Sequence, residues 1–150
     1  MKHVHKSVLL WYSPQEMYDL VTHVEDYPKF LPWCSSATVL QQHPDGVTAR
    51  LGLAYMGMRQ SFTTRNRQTP GKSLSMQLVD GPFSALEGDW QFHELGKPGA
   101  DKVACKIEFD LRYAFAGGAL DLVISPVFDK IANTFVDSFV KRAEQVYGAR

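Results

Sequence analysis

The sequence predicts an α+β fold in which a curved antiparallel sheet of about seven strands wraps around one long C-terminal helix, a helix-grip arrangement. Three observations point there. Turn-forming residues recur at short intervals between Cys34 and Tyr113, the segments between them alternate apolar and polar residues, and the chain ends in an apolar stripe of helical period. A sheet with one dry face and an amphipathic helix each need cover on a single side, so each supplies it to the other. At 150 residues the chain has the size of one domain, and residues 1–150 are assigned to one.

A first strand runs from about His3 to Tyr12. Ser13 then caps a short helix: Pro14 takes the first helical position, where a missing N–H is harmless, and Glu16 completes a capping box ahead of Met17, Leu20 and Val21. A second short helix around Asp26 to Leu31, bounded by Pro28 near its start and Pro32 at its end, can be only a turn or two. Six strands follow, cut out by Pro44-Asp45-Gly46, Met56-Gly57-Met58, Thr69-Pro70-Gly71-Lys72, Asp80-Gly81-Pro82 and Gly96-Lys97-Pro98-Gly99. In one of them Val47, Ala49, Leu51, Leu53 and Tyr55 share a face while Thr48, Arg50 and Gly52 point the other way. In the last, Val103, Cys105, Ile107, Phe109, Leu111, Tyr113 and Phe115 alternate with Lys106, Glu108, Asp110 and Arg112. The final stripe, Leu120, Val123, Ile124, Val127, Phe128, Ile131, Phe135, Val136, Phe139 and Val140, defines a helix to about Tyr147. Pro126 either marks its start, with Ser125 as cap, or kinks it after a preliminary turn from Ala119.

Lys+Arg and Asp+Glu both number 16, a balance that argues against a general DNA or RNA binder, which needs excess cations to displace counterions from phosphates. Met1 to His5 lacks the apolar stretch of a signal peptide, and no uncharged run approaches the roughly 18 residues of a membrane span. The expected location is therefore the cytoplasm, with at most peripheral contact with the inner membrane. Cys34 and Cys105 are expected to be reduced and packed inside.

The sequence nominates no catalytic residue, no metal site and no cofactor. His3 and His5 share a strand face, but no third ligand accompanies them, and His23, His43 and His93 stand alone. Glu87 and Asp89 alternate with Leu86, Gly88 and Trp90, so they face away from the apolar side and read as a solvated edge. Asp80 beside Gly81-Pro82 is better suited to organising its turn than to general base chemistry. Binding has more candidates: Phe30, Trp33, Leu53, Phe62, Leu78, Trp90, Phe92, Phe109, Tyr113, Phe128, Ile131 and Phe135 would give an aromatic and aliphatic lining for a flat ring and its tail, with Tyr113 adding an orienting hydroxyl. The same residues would serve as plain core in any protein of this size. Tyr27 to Trp33 reads equally as a rim for lipid entry and as a core plug. Arg59, Arg65 and Arg67 fall on one face of the fourth strand with Ser61 and Thr63 between them, a stripe that suits phosphate contacts in RNA or a solvated sheet face.

Four segments carry a resemblance over nearly the whole chain: Val24 to Cys34 (VEDYPKFLPWC), Ser61 to Asn66 (SFTTRN), Leu78 to Phe83 (LVDGPF) with Leu86, Gly88 and Trp90, and Phe139 to Ala143 (FVKRA) with Tyr147-Gly148. In these the chain resembles the START-type family that includes the mitochondrial coenzyme Q-binding protein and the bacterial ribosome association toxin RatA. The resemblance implies a helix-grip fold. In one branch it implies non-enzymatic binding or transport of a polyprenyl quinone such as ubiquinone in support of respiration; in the other, binding of the large ribosomal subunit to block subunit joining. The older family label, oligoketide cyclase or lipid transport protein, adds a third reading, a cyclase, which requires a buried His or carboxylate paired with a tyrosine in the cavity. Where relatives carry an acidic residue after the tyrosine of the last strand, this chain has Tyr113-Ala114-Phe115-Ala116-Gly117-Gly118.

Overall fold

A computed structural model of the chain describes residues 1–55, 57–96, 103–117 and 119–150. The turn at Met56, the Lys97-Pro98-Gly99 signal and Gly118 lie outside the described residues. The elements run β1 (Lys2–Leu10), α1 (Pro14–Thr22), a 3-10 segment (Val24–Lys29), β2 (Cys34–His43), β3 (Gly46–Tyr55), β4 (Met58–Thr69), β5 (Ser73–Asp80), β6 (Phe83–Leu95), β7 (Ala104–Phe115) and α2 (Ala119–Tyr147). The seven strands form one sheet in the order β1-β7-β6-β5-β4-β3-β2, so β2 to β7 are a meander and β1 pairs antiparallel on β7, Lys2 opposite Tyr113. Register shifts at Cys34/Ser36, Val39/Gln41, Thr63/Thr64 and Phe83/Ala85 mark irregularities that bend and twist a ladder.

The α1 start follows the capping box: Glu16 N–H donates to Ser13 Oγ at 3.0 Å and Ser13 N–H to Glu16 Oε1 at 2.9 Å. The second helix is a 3-10 piece that begins at Val24, two residues before the sequence placed it, with Pro28 near its end rather than its start. β1 stops at Leu10, and Tyr12 instead donates its hydroxyl to Gly148 O at 2.7 Å. Pro126 does not mark the start of the helix: α2 runs from Ala119 through the proline. Val123 is more exposed than the stripe implied, at 56 %. At the Thr69-Pro70-Gly71-Lys72 turn, Lys72 N–H donates to Thr69 O, and Gly71 takes a φ of +69°, which a side chain disfavours.

The concave face of the sheet holds α2. Phe128, Ile131, Ala132, Val136, Phe139 and Ala143 are buried there, and Phe135 is partly buried against them. Phe139 is wholly buried, its ring 5.3 Å from Trp90, 5.3 Å from Tyr27 and 5.1 Å from Phe30 and Phe135. The helix end is tied to α1: Tyr147 Oη donates to Glu16 O at 2.9 Å, and Arg150 makes a bidentate pair with the Glu16 carboxylate at 2.8 Å. Cys34 and Cys105 are free and buried, as the sequence indicated.

Candidate functional site

Strand alternation turns Ala49 and Leu51 of β3, Phe62, Thr64 and Asn66 of β4, Met76 of β5, Leu86 and Gly88 of β6, and Phe109 and Leu111 of β7 towards α2. With Val24, Tyr27, Trp33 and the helix residues Phe128, Ile131, Ala132 and Phe135 they enclose an apolar cavity. The space that a water-sized sphere can reach is about 60 Å³. An aromatic ring needs more: an apolar cavity of about 150 Å³ accommodates benzene. The rings that were to line the cavity fill much of it.

Trp33, Phe62, Phe109, Phe128, Ile131 and Phe135 stand on the cavity wall as expected. The other six do not. Trp90 is wholly enclosed by rings, 4.6 Å from Phe109 and 5.8 Å from Phe135, and Phe92 packs edge-on against Tyr18 of α1. Phe30 borders a surface cleft between α1 and α2, with the Arg142 guanidinium 5.2 Å above its ring. Leu53 is buried beside an outer depression, Leu78 is half-buried at the core margin, and Tyr113 spends its hydroxyl on Asp129 at 2.6 Å. Tyr27, Leu31 and Trp33 are buried, and Tyr27 Oη donates to Val21 O, so their segment is chiefly a plug whose inner side walls the cavity.

Sequence reasoning missed Thr64 and Asn66. They are the polar residues of an otherwise apolar wall, 6 % and 4 % exposed, joined by a 2.7 Å bond from Thr64 Oγ1 to Asn66 Oδ1. The signal was present: sending Arg65 and Arg67 outward forces Thr64 and Asn66 inward.

On the outer face the arginine stripe divides. Arg65 pairs with Asp45, and Arg67 lies 3.8 Å from the same carboxylate and donates to Gln77 at 2.9 Å. Arg65, above all, and Arg67 hold the Asp45 carboxyl below the usual range. Both arginines thus have an anion beside them already. Arg59 lies at the far end of β4 and joins Arg50 of β3 in a shallow open depression with Ser35, Ser36, Thr38, Gln60 and Ser61. Arg50 Nη2 donates to Ser61 Oγ at 3.0 Å, no carboxylate lines the depression, and among the described residues neither arginine has an acidic partner.

Several titratable groups elsewhere are engaged in pairs. Glu87 and Asp89 meet Arg112 at 3.6 and 3.0 Å on an interior strand, so they are cross-strand partners rather than a sheet edge. His3 and His5 share Asp110 Oδ1, at 3.0 and 2.8 Å, and no group of three or more metal-ligating side chains fit to hold an ion occurs among the described residues. Tyr113 and Asp129 are the tyrosine–carboxylate pair that the cyclase reading requires, but neither lines the cavity. Lys2 binds the same carboxylate at 2.6 Å. Partial burial raises the Asp129 pKa, but the Lys2 and Tyr113 bonds outweigh it and leave the carboxyl below its ordinary value; burial and Asp129 push the Tyr113 phenol well up. Burial pushes both cysteine thiols up to about 11, unsuited to nucleophilic work. No helix among the described residues is long and apolar enough to cross a membrane.

An open sheet gripping a long helix, with an apolar cavity between them, defines a helix-grip domain. The family model described as polyketide cyclase/dehydrase and lipid transport matches residues 10–140, and the chain belongs to that START-like family. Its relatives include the ribosome association toxin RatA of Pseudomonas aeruginosa, 44% identical over 97% of this chain and 98% of that one, and RatA of Escherichia coli, 39% identical over 100% and 92%. The mitochondrial coenzyme Q-binding protein COQ10 homolog B of Xenopus laevis is 27% identical over 95% of this chain and 58% of its own length. Among solved structures, an 18 kDa protein of Caulobacter crescentus is 30% identical with a TM-score of 0.72, covering 99% of this chain and all of that one. The Zhui aromatase/cyclase of Streptomyces sp. R1128 has a TM-score of 0.74 at 14% identity over 99% of each chain, a likeness of fold.

Proposed function

We propose that this chain is a non-enzymatic binding protein that associates with the large ribosomal subunit through the outer face of β2, β3 and β4, hindering subunit joining. The observation that carries the reading is the Arg50–Arg59 depression: two arginines without acidic partners among the described residues, set among serine and threonine hydroxyls, match RNA phosphates in charge and donor chemistry. The full-length similarity to proteins named for ribosome association supports it. Because the chain's formal net charge is zero, polyanion binding rests on such a local patch rather than on overall charge. Purified protein added to a cell extract is expected to sediment with large subunits in a sucrose gradient and to raise the ratio of free subunits to joined ribosomes; an unchanged profile with the protein at the top refutes the reading.

The cavity favours a second reading, binding of a neutral hydrophobic molecule of the polyprenyl quinone class, delivered from a membrane surface and held as a ligand rather than a resident cofactor. Its wall combines aromatic and aliphatic groups with one polar pair, and the distant relative named for coenzyme Q binding supports it. Titrating delipidated protein with a short-chain ubiquinone should quench Trp33 and Trp90 fluorescence saturably; a linear response refutes it. The two readings occupy opposite faces of the sheet and are compatible.

A further inference from the structure

We infer that Thr64 and Asn66 form the polar end of the cavity and orient a neutral ligand by a carbonyl oxygen, with Asn66 Nδ2 as the donor; the inference rests on reading the cavity as a ligand site. The Thr64 hydroxyl donates to Asn66 Oδ1, which fixes the amide so that its nitrogen is the group left over. That nitrogen has no hydrogen-bond partner among the described residues, although Asn66 is 4 % exposed. That nitrogen is not sealed in the core, since the one fully buried side-chain nitrogen or oxygen without a partner among the described residues is Trp90 Nε1; it stays open towards the cavity, whose other lining residues are mostly apolar. An acceptor brought in by a ligand completes the bond.

The same wall sets the charge of that ligand. Among the described residues no charged side chain lines the cavity, so a carboxylate would be buried without a counter-ion, whereas a quinone, ketone or ester oxygen enters at little desolvation cost. A hydrocarbon without oxygen would fit the apolar part and leave the amide unpaired. Room for a ring comes most readily from Met76, an unbranched chain whose Cε fills the space beside Gly88, 2.6 Å from where a Cβ on that glycine would stand.

The test compares a short-chain ubiquinone, an alkylbenzene of matching tail and a fatty acid of similar length, each titrated against Trp33 fluorescence in delipidated wild type and in Thr64→Val/Asn66→Leu. Replacing both partners by apolar groups of similar shape leaves no stranded hydroxyl, so the double variant should melt at or above the wild-type temperature. Asn66→Leu alone carries the same binding expectation should the double variant fold poorly. Wild type is expected to bind the quinone about 3- to 10-fold tighter than the alkylbenzene and the fatty acid weakest of the three. The variant should bind quinone and alkylbenzene alike. A variant that keeps the quinone preference, or a wild type that prefers the fatty acid, overturns the assignment of the polar pair while leaving the cavity as a ligand site. A wild type that binds none of the three overturns the ligand site itself, and the inference with it.

Discussion

Replacing Arg50 and Arg59 together by glutamine removes two cations from the outer depression while leaving a polar side chain that can still donate a hydrogen bond. Neither arginine has an acidic partner among the described residues, so little folding free energy is at stake; the Arg50 bond to Ser61 is an exposed one. Each phosphate contact contributes about 0.7–0.9 to the slope of log affinity against log salt, so losing two should flatten that slope by about 1.5 and weaken binding near 0.1 M salt by roughly 25- to 60-fold. The assay is equilibrium binding of labelled protein to purified large ribosomal subunits over a salt series. The informative control is Arg65→Gln/Arg67→Gln, which removes the same formal charge from residues already held by Asp45. A control that abolishes binding while the Arg50/Arg59 variant binds like wild type would refute the division of the stripe.

Phe139→Ala should cost about 3–5 kcal/mol and lower Tm by roughly 10–15 °C, since the ring is wholly buried among four others; calorimetry checks it. Cys34 and Cys105, buried with thiols pushed up to about 11, should resist a thiol reagent in native buffer and react fully in denaturant. The Glu16 carboxyl lies below its usual range, first through its bond to Arg150 and then through Ser13. Its contribution is thus present above the unfolded-state pKa, near 4.3, and is lost as pH falls through the lower folded-state value. Urea midpoints measured from pH 6 down to pH 2 should therefore fall less steeply in Glu16→Gln than in wild type, with the variant already weaker at pH 6.

Strand alternation, turn chemistry and the capping box made the architecture readable, because each is a local rule that the tertiary structure obeys. Which side of the sheet a residue occupies was readable for the same reason. What alternation does not encode is depth: Trp90 and Phe109 share a face, yet Trp90 is sealed by its neighbours while Phe109 reaches the cavity. Likewise the arginine stripe on β4 was real, but the partner that neutralises part of it, Asp45, sits in the turn between β2 and β3 and is brought to Arg65 and Arg67 only by the register of β3 on β4. Arg50 joins Arg59 through that same register, in which Gly52 faces Ser61 and Ala54 faces Arg59. Thr64 and Asn66 were hidden by their types, since polar residues on a strand are first read as solvated, and only the outward direction of Arg65 and Arg67 places them inside.

The most direct test of ribosome association is a titration of the labelled wild-type chain with purified large and small ribosomal subunits, at low and at physiological ionic strength. Saturable binding to the large subunit at one chain per particle, weakening as salt rises and absent from the small subunit, is the predicted result. No saturable binding to either subunit at low ionic strength would contradict it.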